Sequence, residues 1–396
     1  MNVAGALGGS GEPDAFGPVN GPGGPGGPTA TGGPYGLGGP GGLDRLDDLG
    51  EPGELDGFGE PELAELVRAA APHATAVTLA VARGDRQAVR CHGRLARDSA
   101  APCTPETVFE LGSVTKTFTA LLLATMAARG ELALDDPVER HLPERWRPAT
   151  VRRGGPIRLL HLATHTSGLP GLPPGLLAEA APTWFSNPYA AYLDEQLREG
   201  LARTTVHHRP GSWFGYSNYG VALLGRLLTE AGGATYPELL ADRILRPLDL
   251  RSTTCSPDAP DRAVGHRRGR PLPPWRIPGL PGAGAVRAGG ADVLRFLRAH
   301  LPGEESELRE ALDDVQQLRL RLPRSTDQLC LVWNHRRVGG RDLFFHSGAT
   351  RGFTSLVGLC PQTASVVGAL ANCGPALDGR FVQRGYEVLK QVSSRQ

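Results

Sequence analysis

Phe109-Glu110-Leu111-Gly112-Ser113-Val114-Thr115-Lys116-Thr117-Phe118-Thr119 is the stretch on which the reading of this chain turns. A glycine able to make a tight approach precedes a serine. From that serine an apolar helical run continues to Ala128 and is closed by Gly130. Ser113 therefore stands at a helix start, where free backbone N–H groups and the positive end of the helix dipole favour a developing anion. Lys116 follows at i+3, on the same helix face. A serine hydroxyl is a weak nucleophile until a base takes its proton, and a lysine desolvated in a cleft is neutral enough to serve. A capping serine followed by a surface lysine would give the same four-residue pattern, so the rest of the chain has to decide.

The composition is that of a globular protein: 40% of the 396 residues are hydrophobic and 21% charged. A net charge of +1 argues against nucleic acid or an anionic membrane as partner. No apolar run reaches the roughly 18 residues of a membrane span. Lys116 and Lys390 are the only lysines among 42 basic residues, so a lysine one turn from a serine is not a common event in this chain. The six cysteines (Cys91, Cys103, Cys255, Cys330, Cys360 and Cys373) form no C-x-x-C pair and read as reduced, buried thiols. The amino terminus lacks a basic n-region and an apolar core segment, which points to the cytoplasm.

Residues 1–60 hold 21 glycines and 8 prolines without a three-residue period, the composition of a disordered tail. The segment turns acidic from Asp44 to Glu60, and a helix is expected from about Pro61. Residues 75–93 read as a hairpin turning at Gly84-Asp85. Residues 131–280 are helix and Pro/Gly-rich loop. Strand-like runs return at Leu329–Trp333, Asp342–Phe345, Thr354–Leu359 and Ala364–Leu370, and an amphipathic helix is expected over 376–392. Strands at both ends of residues 61–396 predict one sheet built from both ends of the domain, with the helical middle as an inserted lobe and a cleft between them.

Two further clusters carry chemistry. In Gly215-Tyr216-Ser217-Asn218-Tyr219-Gly220, Tyr216 and Asn218 are two residues apart and share a side if the segment is extended. A phenol near a cation can drop its pKa and shuttle a proton, while the amide can hold a substrate carbonyl and the lysine. In Phe344-Phe345-His346-Ser347-Gly348-Ala349-Thr350-Arg351-Gly352-Phe353, an apolar strand runs into a glycine that lets a substrate backbone lie alongside.

In this order the three clusters resemble the serine β-lactamase-like family of class C β-lactamases, DD-carboxypeptidases, D-aminopeptidases and related esterases. Leu160-His161-Leu162-Ala163-Thr164-His165-Thr166-Ser167-Gly168-Leu169-Pro170 is similar to another of its stretches, and the resemblance spans about 61–390. It implies an α+β fold, an antiparallel sheet flanked by helices with the inserted helical lobe. It also implies a cofactor-free, metal-free serine hydrolase: Ser113 as nucleophile, Lys116 with Tyr216 handling protons, and Asn218, His346 and Gly348 at the substrate. The N–H groups of Ser113 and Ala349 would form the oxyanion hole. Class C β-lactamases carry lysine where this chain has His346. A histidine is fully charged only near or below pH 6.5, which weakens recognition of a carboxylate unless Arg351 compensates. The substrate implied is a small ester or amide rather than a β-lactam. A β-lactamase, a D-Ala-D-Ala carboxypeptidase or D-aminopeptidase, an acyltransferase and a catalytically inactive binding relative stay open as alternatives.

Other patterns carry less. His161 and His165 have zincin spacing without the glutamate of H-E-x-x-H, and read as structural histidines. Gly215-Tyr216-Ser217-Asn218-Tyr219 lacks the last glycine of a nucleophile elbow. Asp135-Asp136 reads as a solvated turn and His207-His208 as exposed loop.

Overall fold

Alternation along the strands sorts their side chains onto two faces, and both faces are covered. The computed structural model describes residues 57–322 and 327–394; of the tail expected over residues 1–60, residues 1–56 lie outside them, and Glu60 already begins a helix. Strands β1 (Ala76–Arg83) and β2 (Arg86–Gly93) form the early hairpin. Strands β3 (Leu320–Arg321), β4 (Gln328–Leu329), β5 (Asn334–Val338), β6 (Arg341–Ala349), β7 (Thr354–Cys360) and β8 (Ser365–Ala371) follow late in the chain. All eight join one antiparallel sheet in the order β2-β1-β8-β7-β6-β5-β4-β3. The first hairpin pairs with the last strand, Val77 opposite Ala371, so the two ends of the domain close a single sheet.

On the outer face, Val77, Leu79 and Val81 of β1 pack with helix α1 (Glu60–Ala70) and the carboxyl-terminal helix. The other face, with Ala76, Ala80 and Ala82, meets helices α2 (Thr115–Ala128) and α4 (Gly290–Ala299). Between these two comes α3 (Asn218–Gly232), and α5 (Arg380–Ser394) is the carboxyl-terminal helix. Every residue of α2 from Thr115 to Met126 is buried, the mark of a helix running through the centre of a fold. Phe118 of α2 stacks on Phe296 of α4 with ring centroids 4.0 Å apart. Between 131 and 280 the strands are two-residue pairs, Thr150–Val151 with Thr205–Val206 and His266–Arg267 with Arg270–Pro271. The remainder is helix and loop, and its buried residues, among them Leu162, Leu197 and Leu240, share one hydrophobic core with Ala80 of β1. No helix among the described residues is long and apolar enough to cross a membrane.

Two expectations need correction. Leu329–Trp333 is not a strand: pairing stops at Leu329 and resumes at Asn334. Between them the chain turns tightly at Val332 (φ 67°), whose N–H donates to the Ala163 carbonyl at 2.8 Å. Leu331, Val332 and Trp333 are buried because the turn plugs into the core, which in sequence looks like an apolar strand. Asp136 is likewise not solvated. It is buried, accepting the Ala133 N–H at 2.9 Å and pairing with His141 Nε2 at 2.9 Å, whereas Asp135, His207 and His208 are exposed. All six cysteines are free thiols, with Cys91 and Cys255 only half-buried.

Candidate active site

The site forms where α2 begins. Gly112–Val114 is a tight 3-10 turn leading into α2, so the regular helix starts two residues after Ser113. Gly112 takes φ 53°, and a Cβ there would lie 2.6 Å from the backbone of Ala349. A Cβ on Gly348 would lie 2.0 Å from the Leu111 carbonyl oxygen and 2.9 Å from the Val114 nitrogen. The end of β6 and the Ser113 turn are therefore pressed backbone to backbone. Gly348 is needed for that approach.

Lys116 is fully buried, while Ser113 stays partly open. Its Nζ donates to Ser113 Oγ at 2.8 Å and to the Ala283 carbonyl at 3.0 Å. The Ala283 turn is itself held to α2, because Thr119 Oγ1 donates to the Gly282 carbonyl at 2.6 Å. Both partners of the amine are neutral, and among the described residues it pairs with no carboxylate. Burial alone lowers its pKa from 10.5 to about 7. At pH 7 that raises the neutral fraction from about one in three thousand to about half.

Tyr216 presents the face of its ring to Lys116, with Nζ 5.2 Å from the centroid. Its hydroxyl is hydrogen-bonded to Ser113, but burial dominates and pushes the phenol above its usual range. This reverses the expectation of a phenol acidified by a cation: the amine meets the ring face, and Tyr216 stays protonated. Tyr216 ends a loop that α3 continues, with Ser217 as N-cap accepting the Gly220 N–H at 2.8 Å. Asn218 opens α3. Its N–H donates to the Gly171 carbonyl at 2.9 Å, and its side chain bonds the Tyr189 hydroxyl.

His346 is buried, and its pKa falls to about 3 through burial, with Lys116 adding to the effect. Arg351 lies just beyond, its guanidinium 5.3 Å from the Trp184 ring centroid. Ser113, Lys116, Tyr216, Asn218, His346, Gly348 and Ala349 thus converge from three separate segments. No group of three or more metal-ligating side chains occurs among the described residues.

Two contributors were not singled out from sequence, and a third was read only as a structural histidine. Glu110, two residues before the turn, is buried and accepts the Trp275 N–H and the Thr350 hydroxyl, both at 2.7 Å. It ties the segment leading into the Ser113 turn to the Trp275 loop and to Thr350, just past the end of β6; burial raises its pKa. Its sequence signal was a carboxylate between Phe109 and Leu111 in an otherwise apolar run. The Ala283 carbonyl has no side-chain signature at all. His165 is the third, lying under Tyr216 with ring centroids 4.5 Å apart.

The chain is similar to several known proteins in sequence and in fold. The beta-lactamase family profile matches residues 63–390. The D-alanyl-D-alanine-carboxypeptidase/endopeptidase AmpH of Escherichia coli is 28% identical over 326 residues, 76% of this chain and 82% of that protein. Esterase EstB of Burkholderia gladioli is 34% identical over 260 residues, 57% and 64% of the two chains. In structure, the beta-lactamase/D-alanine carboxypeptidase of Yersinia pestis superposes with a TM-score of 0.72 at 21% identity, covering 85% of this chain and 96% of the other. A class C beta lactamase of Rhodobacter sphaeroides gives 0.69 at 22% identity, with coverages of 85% and 99%.

Proposed function

The chain belongs to the beta-lactamase family of serine hydrolases, and from that premise we propose that it acts through an acyl-enzyme on Ser113, with a small ester or amide as substrate. Neutral Lys116 takes the Ser113 proton as Oγ attacks the substrate carbonyl. The N–H groups of Ser113 and Ala349 receive the oxyanion, where loss of one such donor typically costs about 10²–10³ in rate. The hydroxyl of Tyr216, kept protonated by its burial, passes a proton to the departing alcohol or amine and is reprotonated from Lys116. Asn218 orients the acyl group. Water, or another acceptor, then releases the acyl group by the reverse sequence. The observation that carries this reading is the buried amine 2.8 Å from Ser113 Oγ, with no carboxylate paired to it among the described residues.

Uncharged His346 supports esters and simple amides, because it brings no positive charge to a substrate carboxylate at neutral pH. A second reading, carboxypeptidase action like that named for AmpH, is favoured by Arg351, whose Nε has no partner among the described residues. Turnover of p-nitrophenyl butyrate, nitrocefin and a D-Ala-D-Ala peptide discriminates the two. Efficient nitrocefin or peptide cleavage without p-nitrophenyl butyrate turnover overturns the ester preference.

A further inference from the structure

Between the short helix Leu159–Ala163 and the loop that carries Tyr216, one residue makes three separate contacts with that loop. His165 adopts φ 56°, in the left-handed region, which ends the helix and turns the residue toward residues 215–217. Its carbonyl accepts the Gly215 N–H at 2.8 Å. Its Nδ1 accepts the Ser217 N–H at 3.2 Å. Its ring lies against the Tyr216 ring, centroids 4.5 Å apart and planes tilted by 35°. Tyr216 is thus gripped through the backbone on both sides and through its ring by the same neighbour. We infer that His165 is a positioning residue, which aims the Tyr216 hydroxyl at Ser113 and at the leaving group.

The contact also sets the state of the imidazole. A nitrogen that accepts an N–H carries no proton, so the hydrogen of neutral His165 sits on Nε2. Burial holds the ring well below the usual histidine range, and Lys116 and His346 act in the same direction. His165 therefore stays neutral and adds no charge beside the amine. The residue has two separable properties, an acceptor at Nδ1 and a ring beneath the phenol. Asn places an oxygen at the position of Nδ1 and tolerates a left-handed backbone, whereas Phe keeps the ring and removes the acceptor.

This inference rests on the proton-delivery role proposed for Tyr216, so the test compares two leaving groups. Ethoxide needs a proton to depart, whereas p-nitrophenolate leaves without one. His165→Phe and Tyr216→Phe are each expected to lower kcat/KM for ethyl butyrate by roughly ten- to a hundredfold, part of the 10²–10⁴ that a positioned proton-transfer group contributes. The loss should fall on kcat, with p-nitrophenyl butyrate affected severalfold less. Adding His165→Phe to Tyr216→Phe should cost nothing further, because both act through one hydroxyl, and His165→Asn should recover part of the loss. Parallel loss on both esters, or losses that multiply in the double variant, would show a general structural role and overturn the inference. If the unmodified protein hydrolyses neither ester, the ester chemistry itself fails and takes the inference with it.

Discussion

Lys116 Nζ lies 2.8 Å from Ser113 Oγ, and its other bond, at 3.0 Å, goes to the Ala283 carbonyl. One partner is the proposed nucleophile and the other a backbone dipole, and among the described residues no carboxylate offsets the charge that burial disfavours. The consequences are measurable in both activity and stability.

In activity, kcat/KM should rise through about pH 7 as Lys116 loses its proton. Lys116→Arg, which stays charged, should be inactive at every pH tested. A profile flat from pH 5 to 9 would contradict the role given to the amine.

In stability the sign is the opposite of a salt bridge. The folded pKa of about 7 lies below the unfolded 10.5, so the unfolded chain binds more protons between those values and stability climbs as pH rises across that window. Below pH 7 the penalty is fully present, on the order of 5 kcal/mol. Lys116→Met orphans the Ala283 carbonyl, at about 1–3 kcal/mol. It should still melt above the unmodified protein at pH 6, with the gap closing towards pH 10. Thermal denaturation across pH measures this, and a variant less stable at pH 6 would contradict it.

Gly348→Ala places a methyl group 2.0 Å from the Leu111 carbonyl oxygen. Backbone must move on one side or the other, separating the end of β6 from the Ser113 turn. We expect a stability loss of about 1–3 kcal/mol and a fall in acylation rate of about a hundredfold if one oxyanion donor is displaced. Wild-type kinetics in this variant would remove Ala349 from the oxyanion site.

Glu110→Ala removes both acceptors and leaves the Trp275 N–H and the Thr350 hydroxyl without this partner. The cost should be about 1–3 kcal/mol, measured by denaturant unfolding, together with reduced kcat. An unchanged unfolding midpoint would show that the three segments are held together by other contacts.

Acid should weaken the fold through its buried histidines. His300 has a folded pKa of about 4 and His346 of about 3, against 6.5 unfolded, with burial as the leading cause. Both are neutral in the fold, so stability is intact above pH 6.5 and is lost as pH falls through the folded values. His300 alone accounts for about 3 kcal/mol between pH 6.5 and 4. His300→Gln should shallow the decline in melting temperature over that range; an equally steep decline would exclude His300 as a source.

What the sequence disclosed follows from which interactions are local. Ser113 and Lys116 share a helix face three residues apart, so their meeting could be read directly. Tyr216 and Asn218 were readable as a pair but not in their relation to Lys116, because the approach of amine to ring depends on how α2 and α3 pack. Alternation revealed β1, β2, β7 and β8. It failed at Leu329–Trp333, where burial by a turn imitates burial by a strand, and it missed β5, whose Asn334-His335-Arg336-Arg337-Val338 is polar because the strand is partly exposed. The Ala283 carbonyl, the three-way tie at Glu110 and the grip of His165 join residues far apart in the chain, and no spacing announces them.

The central claim is that the acyl group is carried by Ser113. Acid quenching during p-nitrophenyl butyrate turnover, followed by peptide mass mapping, tests it most directly. A butyryl group is expected on the peptide containing Ser113, and none on that peptide in Ser113→Ala, which should also lack turnover. A butyryl group on another residue with Ser113 unmodified, or undiminished turnover in Ser113→Ala, would contradict it.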